Sequence, residues 1–566
     1  MLKRIALVLS AATACAESST TDLADAVINC EFGRATTLAV GQVLTASSSA
    51  RFCIESSSRA DFVLIPFVAG ARDTAARVTV SIHGAGLGPA PSSQQLQRNA
   101  PAPRAPGPAA PAVMLRQLHE AGHAALSAQH AKSTRLLAPH TRSIRMPNAP
   151  APSARAVPSP GDVILLNVSG SCTEPDPRSA RVIAVTQRAI VAYDQDNPAA
   201  DPFTTEDLQR FGREFDETIY PTLTQNFGSP TDLDQNGRVI LYFTRAVNEI
   251  VPGGSRTNLV IGFFFRGDVF PRAGIPGRAE PCPAGNEGEV LFLSVPDPEG
   301  EVRGFPINHS TLEQVMTGTI AHELQHLINS ARRIHITNAP ALEETWLNEA
   351  LSYIAEELMF YAFSGLTPQL NVDTTSILQS EQRRDAFNRF GYFNLGRFDR
   401  FLQNANDWSP IGPDGQETRG SAWSLLRYAA DRDPTPDAQF FRALIDAPAT
   451  GLANLNAALA QDAIPWMHDW AVSVFADDLV PQIDARYRQP SWNHRDLIAA
   501  LRVLDRSYPL RLLPLENGPG FSVTLRVGAA AYAVFSIPSG QRALISVRAT
   551  DQGSANTLRS LIMRVN

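Results

Sequence analysis

His322-Glu323-Leu324-Gln325-His326 sets two imidazoles four residues apart, with a carboxyl group beside the first. On a helix, residues four apart share a face, so both rings can ligate one zinc ion while the adjacent glutamate reaches a water on it. The chain contains the pattern twice, because His119-Glu120-Ala121-Gly122-His123 is a second copy. Helical geometry separates them. At about 100° per residue, His326 lies about 40° and Glu323 about 100° from His322, while Ile320, Leu324, Leu327, Ile328 and Ala331 fall between about 140° and 240°. That helix buries one stripe and presents both histidines and the glutamate on the other. In the first copy, Leu115 and Leu126 share the histidines' face, Pro-rich stretches flank the segment, and no acidic residue follows before Asp162. His119 and His123 are therefore expected on a surface linker helix, away from a catalytic metal.

A catalytic zinc needs a third protein ligand and an open position for water. Glu343, Glu344, Glu349, Glu356 and Glu357 follow His326. Leu347, Leu351, Ile354, Ala355 and Leu358 form one apolar stripe, and Glu349, Tyr353 and Glu356 project from the other side. Two antiparallel helices packed through their stripes bring Glu349 to the His322/His326 pair. Glu356 and Glu357 read as a solvated face, and Glu343 and Glu344 as negative charge at a helix N-terminus.

His322-Glu-Leu-Gln-His326 followed by Trp346-Leu-Asn-Glu-Ala-Leu-Ser352 resembles the gluzincin arrangement, in which an Asn-Glu pair on a second helix supplies the last ligand. Thr231-Asp-Leu-Asp-Gln-Asn-Gly-Arg-Val-Ile-Leu241, Gly420-Ser-Ala-Trp-Ser-Leu-Leu-Arg-Tyr428 and His468-Asp-Trp-Ala-Val-Ser-Val-Phe-Ala-Asp-Asp478 extend the likeness to the hyicolysin family of bacterial secreted zinc metallopeptidases. The resemblance covers residues 160–480. It implies an endopeptidase acting on protein or peptide, with His322, His326 and Glu349 on zinc and Glu323 as general base. An oxyanion donor is also required; Tyr353, Tyr392 and His468 are the candidates. Two rival functions share these residues: a surface-binding protein with a vestigial zinc site, and a zinc hydrolase of a non-peptide substrate.

Asp232-Leu-Asp234-Gln-Asn236-Gly237 resembles the start of a calcium loop, with oxygens at alternate positions and Gly at the turn. Phe243 stands where an EF-hand has its bidentate glutamate, so a structural calcium ion and a polar turn before the next strand are both open. His309, His335 and His494 lack partners at ligand spacing and read as structural or exposed.

These residues must be held by a large chain. Its 566 residues exceed a single ordinary domain, and 44% hydrophobic with 19% charged residues is a core-forming composition. The net charge of −7 gives no footprint for nucleic acid. Lys3 and Lys132 are the only lysines, which argues against lysine chemistry. Lys3-Arg4, the short apolar run Ile5 to Ala14 and then Cys15 read as an export signal over 1–14, too short for a membrane helix. Cys15 leaves two outcomes, an outer-membrane or cell-surface lipoprotein and simple secretion. Cys30, Cys53, Cys172 and Cys282 then suggest two disulfides, Cys30–Cys53 and Cys172–Cys282 being the pairing within modules.

The expected fold is α+β: a zincin-like catalytic domain over 161–505 with a mainly helical C-terminal lobe, flanked by β-sandwich-like segments. Residues 27–88 and 520–566 alternate in the manner of strands. Residues 89–160 form a Pro/Ala-rich linker containing one helix from Ala112 to about Ser133. Helices are predicted over 205–220 with Thr204 as N-cap, then 311–331, 343–360, 419–432, 436–446 and 465–478. No later run is long enough to span a bilayer, and a monomer is expected.

Overall fold

The alternating stretches near the two ends of the chain become neighbours in the computed structural model. It describes residues 35–73, 75–92, 95–96, 107–133, 155–250, 258–277, 279–502, 505–550 and 557–566. The export signal, Cys15 and Cys30 lie outside them. Strands β1 (Val43–Ala46), β2 (Ala50–Ser56), β3 (Ala60–Val68) and β4 (Arg77–Ala85) come from the N-terminal part. Helix α1 (Ala110–Ser133) follows, and six more strands come before the helical lobe: β5 (Val163–Asn167), β6 (Pro177–Val185), β7 (Ala189–Asp194), β8 (Val239–Phe243), β9 (Gly262–Phe264) and β10 (Val290–Leu293). The lobe includes α2 (His309–His335), α3 (Thr345–Ser364), α4 (Tyr392–Gln403), α5 (Gln416–Arg432) and α6 (Ala463–Ala476). Strands β11 (Leu512–Pro514), β12 (Phe521–Arg526), β13 (Tyr532–Ile537), β14 (Gln541–Ala549) and β15 (Leu558–Arg564) close the chain. The protein is thus a mixed helix and sheet structure.

The first and last strands interleave in two sheets, ordered β1-β15-β3-β13-β11 and β12-β4-β14-β2. The sequence suggested separate flanking segments; the pairing joins them. Leu64 sits opposite Ile562, and Phe62 opposite Phe535 with their rings stacked 5.4 Å apart. Strand β4 alternates with a period of two, burying Val78, Val80 and Ile82. Strand β3 is buried along nearly its whole length because α6 covers its second face.

The other sheet has the order β5-β6-β7-β8-β10-β9. Its parallel centre, β7, β8 and β10, reads as continuous apolar residues, as strands covered on both faces must. Strand β9 runs antiparallel to β10 at the edge. A Cβ at Gly262 would come within 2.6 Å of Thr319 Cγ2, so the missing side chain sets how closely this edge lies on α2. A disulfide joins Cys172 to Cys282.

Helices α2 and α3 are antiparallel. Asn329 bonds Asn348 at 2.8 Å, Ser352 contacts both Gln325 and His326, and His322 meets Glu356, so ascending positions on one helix meet descending positions on the other. Gly365, at φ 71°, ends α3 in the left-handed conformation. Both helices are buried over most of their length; α5 packs on the side of α3 that the sequence assigned to solvent, and Asn394 and Arg397 of α4 meet Tyr353 there. Among the described residues, no helix is long and apolar enough to cross a membrane.

Candidate metal centre

His322 and His326 present ring nitrogens to each other, Nε2 to Nε2, at 3.1 Å. Their other nitrogens are engaged. His322 Nδ1 lies 3.0 Å from Glu356 Oε1, and His326 Nδ1 lies 3.0 Å from Ser352 Oγ. A carboxylate accepts, so the His322 proton sits on Nδ1. The Ser352 hydroxyl donates to Gln325 Oε1 at 2.7 Å, so it accepts from His326 Nδ1. Both Nε2 atoms are then bare lone pairs facing one another, an arrangement that calls for a cation between them. Burial and neighbouring cationic groups hold the His322 ring well below its usual pKa, and burial also lowers His326, which keeps both rings neutral.

Glu349, one turn into α3, completes the group. Its Oε2 is 3.7 Å from His322 Nε2 and its Oε1 is 3.6 Å from His326 Nε2. Ligands around a tetrahedral zinc stand about 3.3 Å apart, so the set suits such an ion. Glu349 Oε2 and Glu323 Oε1 are buried without hydrogen-bond partners. Glu323 Oε2 accepts from the Phe264 amide at 3.0 Å, which fixes the carboxylate between α2 and the edge strand.

Helix α1 departs most from expectation. It is not on the surface: Ala112, Leu115, Arg116, His119, Glu120, His123 and Leu126 are buried. The face shared by leucines and histidines is the inward face, and it docks on α2 and on the chain leading into β9. His123 joins His322 and His326 in a group whose ligand atoms lie within 4.8 Å of one another. Its Nε2 is 3.6 Å from Glu323 Oε1 and its Nδ1 is 3.8 Å from Glu349 Oε1. Burial works to lower the His123 imidazole, but the Glu323 and Glu349 carboxylates outweigh it and hold its pKa above the usual value. The leucines at 115 and 126 were the signal for this, since histidines on a leucine face are buried histidines.

Glu356 and Glu357 are also buried, not solvated. Glu356 pairs with Arg116 as well as His322, and Glu357 bonds Trp492. Glu343 sits in a buried ion pair with Arg333 at 3.2 Å and accepts from the Gly451 amide and Asn454. Three buried arginines surround the centre. Arg116 meets Glu356; Arg397 meets Glu120 at 2.6 Å; Arg419 meets Asp414 at 2.6 Å and Glu349 at 3.5 Å. Three guanidiniums stand against five carboxylates, Glu120, Glu323, Glu349, Glu356 and Asp414, and a divalent cation held there would balance the remainder.

The oxyanion candidates separate. Tyr353 lies with its ring 5.0 Å from that of His322, its hydroxyl accepting from Arg419 at 3.0 Å. His468 stacks on Phe67, away from the centre, with burial pushing its pKa down to about 4, and Tyr392 packs beside Phe393 and Phe387. His309 meets Asp207 at 3.2 Å, His335 donates to the Val269 carbonyl at 2.7 Å, and His494 packs on Phe398 and Trp423. A cleft of about 960 Å³ opens beside the centre, lined by His123, His326, Glu349, Trp346, Arg266 and Asp414 among others.

In the Asp232–Gly237 turn, carboxylate oxygens of Asp232, Asp234 and Glu289 lie within 4.8 Å of one another. Asn236 does not join them through its oxygen, which accepts from the Arg238 amide at 2.7 Å. Glu289, far along the chain, takes its place.

No family model matches the chain. It is 25% identical over 160 residues to the neutral metalloprotease ShpI of Staphylococcus hyicus, an alignment covering 28% of this chain and 32% of that protein. The match therefore spans about a third of the relative's own length. It is a distant similarity to a metalloprotease.

Proposed function

We propose that the protein is an exported zinc-dependent endopeptidase, with His322, His326 and Glu349 as metal ligands and Glu323 as general base. The observation that carries the reading is the pair of bare imidazole nitrogens 3.1 Å apart beside the Glu349 carboxylate. The distant metalloprotease similarity supports it. Zinc bound there supplies Lewis acidity toward a peptide carbonyl and toward water.

The chain's own residues supply the rest. The Phe264 amide holds one oxygen of Glu323, leaving the other to take a proton from water and return it to the leaving amine. Glu356 and Ser352 fix the tautomers of His322 and His326. Strand β9, at the sheet edge beside Glu323, can pair with an extended peptide and align it. Tyr353, whose hydroxyl accepts from Arg419, retains its own proton to donate to a developing oxyanion.

The reading includes a zincin-like domain of the hyicolysin kind, supported by the Asn348-Glu349 pair following the His322–His326 motif. It includes export, with a lipid anchor at Cys15 or release after Ala14, supported by Lys3-Arg4 and the apolar run. Calcium at Asp232, Asp234 and Glu289 is supported by Asp234 Oδ1, buried without a hydrogen-bond partner. Zinc content and casein cleavage test the whole. Bound zinc lost together with cleavage in H322A is expected; a chain that binds no zinc overturns the reading. Zinc binding without proteolysis in any form would favour a non-peptide substrate.

A further inference from the structure

Helix α1 occupies the places a peptide substrate needs. His123 stands within reach of both Glu323 and Glu349, where a catalytic zinc keeps its open position. The backbone leading into β9 is also taken: Leu259 N donates to the Leu118 carbonyl, and Ile261 N to His119 Nδ1, each at 3.0 Å. The fit is close. A Cβ at Gly122 would come within 2.1 Å of the Leu259 carbonyl oxygen, so only glycine lets the helix lie this deep.

We propose that α1 is a built-in plug that holds the chain latent, with His123 on the open ligand position, and that displacing α1 opens the site to substrate. The proposal rests on the metallopeptidase reading. Its electrostatics suit a helix that can leave. Arg116 pairs with Glu356 and Glu120 with Arg397, so withdrawing α1 takes one arginine and one glutamate from the centre, and these two cancel. Arg397 already lies 3.9 Å from Glu356, so the two groups that α1 uncovers can pair with each other. The rest of the N-terminal region need not move, because β1 to β4 are hydrogen-bonded into sheets with β11 to β15. The moving part is thus α1 itself.

Two variants test this from different sides. H123A removes the ligand and, with it, the hold of the helix on Glu323 and Glu349; G122A forces the helix off Leu259 and keeps the ligand. Either carries the test if the other fails to fold. Both are assayed for turnover of a quenched peptide, with E323Q added in the H123A background as the blank. Both are also loaded with cobalt(II), whose visible spectrum reports a change of ligand without any turnover. The expected result is turnover raised by at least about tenfold over the unmodified chain, with metal content kept and the cobalt spectrum altered in both. Unmodified chain as active as the variants, or cobalt spectra identical in all three, overturns the plug. If no form cleaves peptide while the spectra differ, the peptidase reading fails and His123 stands as the displaceable ligand.

Discussion

His123 Nε2 lies 3.6 Å from Glu323 Oε1, so the two copies of one five-residue pattern meet across a single centre. The second histidine of the first copy faces the glutamate of the second. Glu323 is held from one side by the Phe264 amide and faces an imidazole on the other, which is the direction from which a water would have to be deprotonated.

Replacing that carboxylate isolates its role. E323Q keeps the size of the side chain and can still bond near Phe264, while losing the base. Zinc stoichiometry should be unchanged and peptide turnover lower by about 10²- to 10⁴-fold. Turnover close to that of the parent, read in the same H123A background, would remove Glu323 from the chemistry.

Glu356 sits behind His322, at one remove from the proposed metal. E356Q still accepts from His322 Nδ1 but no longer brings a negative charge between His322, Arg116 and Arg397. Metal affinity should fall by about 10- to 100-fold, measured by competition with a chelator. An unchanged affinity would mean that Glu356 serves packing alone.

Asp268 supplies a pH signature outside the centre. Its side chain is fully buried, Oδ1 accepts from the Asn286 amide and side chain at 2.8 and 3.0 Å, and Oδ2 has no hydrogen-bond partner. Burial, only partly opposed by the Asn286 bonds, pushes its pKa up to about 8. The folded chain therefore holds a proton that the unfolded chain has lost above pH about 4. The resulting stability is complete below that pH and is lost as pH rises toward about 8. D268N cannot ionise, so its stability relative to the parent should improve steadily between about pH 5 and 8. Denaturant titrations showing a constant difference across that range would contradict this.

The Cys172–Cys282 bridge closes a loop spanning 110 residues of sequence. Opening a loop of that size costs about 2–5 kcal/mol of stability. C172S/C282S should unfold at lower denaturant concentration, and reducing agent should shift the parent further than it shifts the double variant.

The parts legible in the sequence are those with a local period. Helices α2 and α3, and the meeting of His322, His326 and Glu349, follow from apolar stripes spaced at 3.6 residues per turn. A polar residue opposite an apolar stripe need not face water. Glu356 lies opposite the stripe and is buried, because Arg116 and Arg397 arrive from α1 and α4 to pair with it. The leucine face marks His123 as buried but not against what, because its neighbours, Glu323 and Glu349, belong to segments some 200 residues later. The interleaved end strands leave no local trace, since strand alternation fixes which face is buried but not which distant strand lies alongside.

That interleaving governs the order in which the molecule can be completed. Strand β3 lies between β13 and β15, with Leu64 opposite both Ala533 and Ile562. The first large apolar strand to be synthesised thus waits for almost the whole polypeptide before either neighbour exists. Until then Phe62 to Val68 offers two bare edges to any other strand, the condition under which chains aggregate. Closure of the sheet around β3 is a late, long-range event, and truncation within the last strand should leave the beginning of the chain, not its end, as the sticky part.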